Sequence, residues 1–216
     1  MHIAITGNIG AGKTTLAEQL ADQYGWDVLY EAVEGNPYLA DFYADMPRWS
    51  FNLQVYFLDS RFAQVKKIMA VRLANEANPD HPRTVVQDRT IYEDAAIFAR
   101  NLRDSNCMSE RDYRTYQSLF ENMISLVRPP DLMIYLRADL PKLREQIRRR
   151  GRSFEQSISD EYLNSLSRLY EEFVQSYREG ELLILDVNTL DYAGRPADFA
   201  EVVRQVDERL AMLAGR

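Results

Sequence analysis

The sequence predicts an α/β protein, a five-stranded parallel sheet covered by helices. Three observations lead there. Residues 7–14 read G-N-I-G-A-G-K-T, a phosphate-binding loop placed directly after the apolar, partly β-branched segment M-H-I-A-I-T. Short apolar runs then alternate with helical stretches along the chain, the pattern of strands joined by covering helices. Turn signals bound most of the runs: Asn78-Pro79 through Pro82, Pro129-Pro130 and Gly180.

The first strand is expected at residues 3–6, ending at the loop. A helix follows over 14–24, where Leu16 and Leu20 lie four apart on one face. The second strand is expected at 27–30 and one long helix over 50–75. The third strand falls at 84–87, followed by helices over 91–103 and 110–127. The fourth strand is placed at 132–136, with helices over 139–150 and 159–178. The last strand is at 182–185, and a helix over 196–213 completes the pattern. The connections around the third strand exceed a minimal crossover, so their helices must cover a substrate pocket or a partner subunit.

A length of 216 residues and an apolar fraction of 46% suit one sizeable domain, residues 1–216. The net charge of −7 provides no basic field to attract nucleic acid or an anionic membrane surface. The single cysteine, Cys107, excludes an internal disulfide, suits a reducing cytoplasm and reads as an ordinary thiol. His2 and His81 cannot form a metal cluster with it. No apolar run is long enough to span a bilayer, and the first strand stands where a signal peptide would be.

The phosphate loop carries the most specific chemistry. A helix start exposes unpaired N–H groups and the positive end of the helix dipole. Gly7, Gly10 and Gly12 allow the tight path that aims N–H groups at phosphate oxygens, with Asn8, Ile9, Ala11 and Thr15 completing the set. Lys13 is expected to reach the β- and γ-phosphates, and Thr14 to ligate Mg²⁺.

Other residues gain meaning from position. Glu31 lies just past the second strand, on the edge where parallel sheets bind ligands, and reads as a general base for an attacking hydroxyl. The bland alternative is a solvated loop glutamate. Asp88-Arg89-Thr90 ends the third strand: Asp88 suits Mg²⁺, Arg89 suits phosphate or the base carboxylate, and Asp88 or Thr90 also suits a helix cap. Residues 144–152, R-E-Q-I-R-R-R-G-R, read as a mobile arginine lid over the transferring phosphate, with Gly151 as hinge or helix stop. Which arginine meets which oxygen stays open. Gln54 and Arg61, seven apart on one helix face, together with Asp94, could read a nucleobase edge. Tyr43, Trp49, Phe57 and Phe98 could stack on a base or fill core, core being the better reading for each.

In ordered combination these motifs resemble the deoxyribonucleoside kinases, the group of deoxyadenosine, deoxyguanosine and deoxycytidine kinases. The resemblance rests on G-N-I-G-A-G-K-T-T at 7–15, E-A-V at 31–33 and R-W-S-F-N-L-Q-V-Y at 48–56. It continues through D-R-T-I-Y-E-D at 88–94, R-G-R-S-F-E at 150–155 and L-D-V-N at 185–188. It implies a P-loop kinase fold with a lid at about 146–158, ATP as donor, Mg²⁺ as cofactor and a homodimer built through helices. It implies Glu31 as the base on a nucleoside 5′-hydroxyl, Arg89 beside it, and Asp88 linked to Mg²⁺. Tyr43 and Glu155 correspond to the pair on the sugar 3′-hydroxyl, and Gln54 to the residue bonding the base. Arg61 and Asp94 match a pair favouring purines and cytosine over thymine, which points to a purine, deoxyadenosine ahead of deoxyguanosine. Arg150 and Arg152 match lid arginines, and residues 186–192 are expected beside the donor adenine.

Three departures stand out. E-A-V replaces the E-P-V of many relatives, altering loop stiffness. Gln146 stands where many have the first lid arginine, shifting that contact to Arg148 or Arg149. The donor loop T-L-D-Y-A-G-R-P is longer. Two other readings share these features: a nucleoside monophosphate kinase like thymidylate kinase, and a non-catalytic nucleotide switch. The absence of an N-K-x-D motif weighs against a GTPase.

Overall fold

A computed structural model describes residues 1–215. The chain runs β1 (His2–Gly7), α1 (Lys13–Tyr24), β2 (Asp27–Leu29), α2 (Leu39–Ala44), α3 (Met46–Ala77) and β3 (Val85–Asp88). It continues through α4 (Ile91–Glu93), a π-helical segment (Asp94–Ala99), α5 (Arg100–Asp104), α6 (Glu110–Ile124) and β4 (Leu132–Arg137). The remainder is α7 (Leu140–Arg150), a 3₁₀ turn (Ser153–Glu155), α8 (Asp160–Ser176), β5 (Glu181–Asp186) and α9 (Pro196–Ala214).

All five expected strands form, in the order β2-β3-β1-β4-β5, every pair parallel. Ile5 of β1 lies opposite Asp88 of β3, and Gly7 lies opposite Leu136 of β4. The carboxyl ends of β1 and β3 therefore open side by side, where such sheets bind ligands.

Alternation decides the two faces. Ile3, Ile5, Ile134 and Leu136 pack with Leu16 and Leu20 of α1 and Val202 and Val206 of α9. Tyr135 points the other way, into a cluster with Ile97, Leu166 and Tyr170. A further apolar cluster joins α2, α3 and α6 through Phe42, Leu53, Leu58 and Tyr116, forming the wall of the cleft away from the sheet.

Three local features differ from the expected elements. The long helix starts one turn earlier, at Met46, because Asp45 caps it by accepting from the Arg48 N–H and proline sits in its first turn. Helix α2 was not anticipated; six residues without a side-chain cap leave little periodic signal. The helix expected at 91–103 is broken by the π-helical turn beginning at Asp94. Such turns occur mostly as single insertions, frequently at functional sites.

Candidate active site

The cleft at the strand tips encloses about 820 Å³ and runs from the phosphate loop to the α3 wall. At one end, Gly10 and Gly12 turn with φ of 84° and 95°. A side chain at Gly12 would overlap the Tyr192 hydroxyl, and one at Gly10 would meet the Leu143 carbonyl at 2.8 Å. Tyr192 is buried beneath the loop, its hydroxyl donating to the Gly12 carbonyl at 3.0 Å. Asn8 is turned away from the cleft: its amide donates to the Leu163 carbonyl (2.9 Å) and Ser167 Oγ (2.8 Å) on α8. Its side chain anchors the loop, leaving its backbone to the phosphate side. Ile9 N–H in turn donates to Asn8 Oδ1 at 2.7 Å. Ala11 is buried, and Thr15 lines the cleft with Thr14.

Lys13 is buried and donates to the Asn8 carbonyl at 3.0 Å. Burial, and to a lesser degree Arg89, lowers its amine to about 8, against the pull of Asp88, Glu31 and Glu93. It remains mostly cationic at neutral pH. Thr14 Oγ1 donates to Asp88 Oδ2 at 2.5 Å, while the buried Asp88 Oδ1 has no protein donor. A hydroxyl beside a carboxylate with one oxygen unengaged is a fitting donor pair for Mg²⁺, which takes most of its other ligands from phosphate and water.

Glu31 sits past the tip of β2 and lines the cleft. Its Oε1 is 2.9 Å from Arg61 Nη2 and 2.8 Å from Arg89 Nε. Burial alone would raise the carboxyl, but Arg89, Arg61 and Lys13 outweigh it and hold it well below the ordinary carboxylate range. Glu31 is thus an anion poised within reach of the phosphate end.

Beyond Glu31 the cleft is lined by further polar side chains. Gln54 and Asp94 line it, and both Gln54 Oε1 and Asp94 Oδ2 lack hydrogen-bond donors. Arg61 is fully buried and stands behind the lining, between Glu31 and Asp94, with Nε 3.6 Å from Asp94 Oδ2. Burial lifts the Asp94 carboxyl to about 7; Arg61 opposes this and Glu93 adds to it. Phe57 and Phe98 line the cleft, whereas Trp49 packs with the α3 cluster against Tyr38.

Tyr43 lies between Phe42 and the stacked ring of Phe154, and shares the cleft wall with Glu155. The lid arginines differ from expectation. Arg150 is bidentate to Glu155 Oε2, with Nε at 2.9 Å, and Arg152 Nη1 is 3.4 Å from Oε1. Both are held by the buried carboxylate rather than directed freely at phosphate. Arg149, not Arg148, lines the cleft, and among the described residues it has no carboxylate partner. Arg148 is exposed and does not line the cleft, because it falls on the outer face of α7. Gly151 (φ 73°) stops that helix.

Sequence reasoning gave no role to Glu93 or Tyr170, and expected Tyr192 only as the end of the segment beside the donor adenine, not beneath the phosphate loop. The T-x-x-E spacing of Thr90 and Glu93 is a readable capping box, and it forms. Nothing local marked the two tyrosines, whose roles depend on distant elements meeting.

A family model described as deoxynucleoside kinase matches residues 3–211. The chain is 38% identical over 212 residues to deoxyadenosine kinase of Dictyostelium discoideum, covering 98% of this chain and 81% of that one. It is 38% identical over 206 residues to deoxyadenosine/deoxycytidine kinase of Bacillus subtilis, covering 94% and 90%. A structure of deoxyadenosine kinase from M. mycoides, with the products dCMP and a flexible dCDP bound, matches with a TM-score of 0.82 at 29% identity. That match covers 96% of this chain and all of the other. A phosphate loop, a carboxylate at the neighbouring strand tip and similarity along nearly the whole length converge: the chain belongs to the deoxynucleoside kinase family and is an ATP-dependent kinase of deoxynucleosides.

Proposed function

We propose that the preferred acceptor is a purine deoxynucleoside, deoxyadenosine ahead of deoxyguanosine, and that the residues of the cleft divide the work as follows. The observation carrying the base preference is that two acceptor oxygens at the far end of the cleft, Gln54 Oε1 and Asp94 Oδ2, accept no hydrogen bond from the protein. A 6-amino group supplies donors there; a 6-oxo group does not. Arg61 sets the charge of both Glu31 and Asp94 from behind. Phe57 and Phe98 offer apolar faces to the ring. Tyr43 and Glu155 hold the sugar, and the lid arginines grip Glu155 until phosphate competes for them.

The 5′-hydroxyl then lies between Glu31 and the phosphate loop. Glu31, held ionised by three cations, is a weak base in the resting site. That suits phosphoryl transfer through a loose transition state, where the attacking hydroxyl becomes acidic late. Glu31 orients the hydroxyl first and accepts its proton as the bond to phosphorus forms. Lys13, Arg89 and Arg149 meet the charge on the transferring oxygens. Mg²⁺, held by Thr14 and Asp88, would neutralise the β- and γ-phosphates.

We take residues 1–216 as one cytoplasmic kinase domain with a lid at about 146–158. No helix among the described residues is long and apolar enough to cross a membrane. Dimerisation is supported by exposed apolar side chains on two helices that pack together, Met69 and Leu73 of α3 and Leu119 of α6, with Leu126 following α6. Sedimentation as a monomer at micromolar concentration would count against the dimer. The deciding assay is ADP release from ATP across the four deoxynucleosides and their monophosphates. The highest kcat/KM is expected with deoxyadenosine; turnover led by a pyrimidine, or by a monophosphate, overturns the reading.

A further inference from the structure

We infer that Glu93 and Tyr170 are positioning residues for the transfer, forming a buried clamp that fixes Arg89 at the strand tip. The inference rests on the reading of Arg89 as a group that meets the reacting atoms.

Among the described residues Arg89 is one of two non-glycine residues with positive φ, at 70°, a conformation that side chains rarely adopt without outside support. That support is visible on every side. The Arg89 N–H donates to the Ile5 carbonyl of β1 at 2.9 Å. The next peptide is held by Glu93, whose Oε1 accepts from the Thr90 N–H at 2.9 Å. The second oxygen of the same carboxylate, Oε2, accepts from Arg89 Nη1 at 3.2 Å. Glu93 therefore ties down both the backbone after the strained residue and the far end of its side chain.

Tyr170 closes the network from α8. Its hydroxyl accepts from Arg89 Nη1 at 2.5 Å and donates to Glu93 Oε2 at 2.8 Å. The ring is fixed by stacking on Tyr135 of β4, centroids 5.9 Å apart, and by the edge of Phe98. Phe98 also lies under the guanidinium, 4.6 Å from its central carbon. Glu93 and Tyr170 are fully buried and neither lines the cleft, so neither can touch a substrate. Their effect passes through Arg89 alone. With Nη1 held behind and Nε beside Glu31, the guanidinium presents its remaining edge to the cleft in one orientation.

The clamp also solves an electrostatic problem. Arg89 Nε is 2.8 Å from Glu31 on the cleft side, while Nη1 is 3.2 Å from Glu93 behind it, so the guanidinium is held between two carboxylates. Without Glu93 the guanidinium loses its tether on the side away from Glu31 and is free to turn about the Glu31 contact, away from phosphate. Glu93 holds it at a fixed distance from both.

The test compares Glu93→Gln and Tyr170→Phe, each alone and in an Arg89→Lys background. Steady-state ADP release with ATP and deoxyadenosine is read together with thermal unfolding. Glu93→Gln is expected to lower kcat about 10- to 100-fold, as misplacement of a positioned group does. Tyr170→Phe, which removes one hydroxyl, is expected to lower it about 3- to 10-fold. KM for ATP should stay within about twofold, since the phosphate loop is untouched. In the Arg89→Lys background neither change should reduce kcat further, because no fork remains to be held. A merely structural role predicts the same fold-loss in both backgrounds, alongside a lower unfolding temperature, and that result overturns the inference. So does a kcat within about twofold of the parent in both single variants. Should Glu93→Gln not fold, Tyr170→Phe alone decides; should Arg89→Lys be too slow to assay, the single variants decide. A fully active Arg89→Lys removes the role given to Arg89 and the clamp with it. An impaired Arg89→Lys beside an unimpaired Glu93→Gln removes only the clamp.

Discussion

The two ends of the cleft are built on opposite principles. At the phosphate end, side chains are largely engaged with the protein itself: Asn8 on α8, Lys13 on the Asn8 carbonyl, Thr14 on Asp88, Tyr192 on Gly12. At the base end, Gln54 Oε1, Asp94 Oδ2 and Arg61 Nε and Nη1 are buried and unsatisfied. Leaving such groups unpaired costs stability, so they persist where a ligand completes them. The first end is largely built before the nucleotide arrives, with Asp88 Oδ1 as its open acceptor, and on the proposed reading binds what all triphosphates share. On the proposed reading the second is completed by its ligand, and so discriminates. Changes at the first end should abolish turnover for every acceptor, and changes at the second should reorder acceptors.

The largest effect belongs to Lys13→Ala. A cation on the transferring phosphoryl group is worth roughly 10³–10⁵ in kcat. Equal losses across all deoxynucleosides are expected; a loss confined to one base would break the contrast between the ends. Glu31→Ala comes next, lowering kcat by roughly 10²–10⁴, the span of a positioned base. Glu31 is the border between the ends, bonded to Arg89 on one side and Arg61 on the other. Near-normal turnover in that variant would take Glu31 out of proton transfer and leave it a charge partner for the arginines.

The same contrast governs what the sequence made legible. The phosphate end lies in one contiguous motif, so spacing alone placed its helix start, glycines and lysine. The three central strands, β1, β3 and β4, were legible because parallel strands buried on both faces read as short apolar runs. The base end comes from α3, the π-helical turn and β2, which meet only in the fold. Gln54 and Arg61 could be put on one helix face by their spacing, yet only Gln54 lines the cleft while Arg61 is buried behind it. A helical period cannot show a π turn, so the angle at which Asp94 enters was out of reach. The lid was only partly legible for a related reason. Three successive arginines end α7, and only the helix phase at Gly151 decides that Arg149 faces the cleft and Arg148 the solvent.

A smaller effect sharpens the account of the base end. Asp94→Asn keeps the shape of the side chain but replaces one acceptor oxygen with a donor. The kcat/KM for deoxyadenosine should fall about 10- to 100-fold relative to deoxyguanosine, the size of one buried unpaired polar group. An unchanged ratio would mean that Asp94 serves Arg61 rather than the base.

The smallest effect is a pH dependence confined to one end. Burial raises Asp94 to about 7, and its ionised form accepts from an exocyclic amino group more strongly than the protonated acid does. As pH falls below 7, the KM for deoxyadenosine should rise by up to about tenfold per unit, while the KM for ATP stays flat. The free protein has the opposite preference. Its Asp94 binds a proton more tightly than the unfolded chain does, so stability from this group is full below the unfolded carboxylate range and is lost as pH rises through about 7. Bound deoxyadenosine restores that loss by pairing the carboxylate. The rise in unfolding temperature caused by deoxyadenosine should therefore be larger at pH 8 than at pH 6, and Asp94→Asn should erase the difference. If the rise is the same at both pH values in the parent protein, the amino group does not meet Asp94.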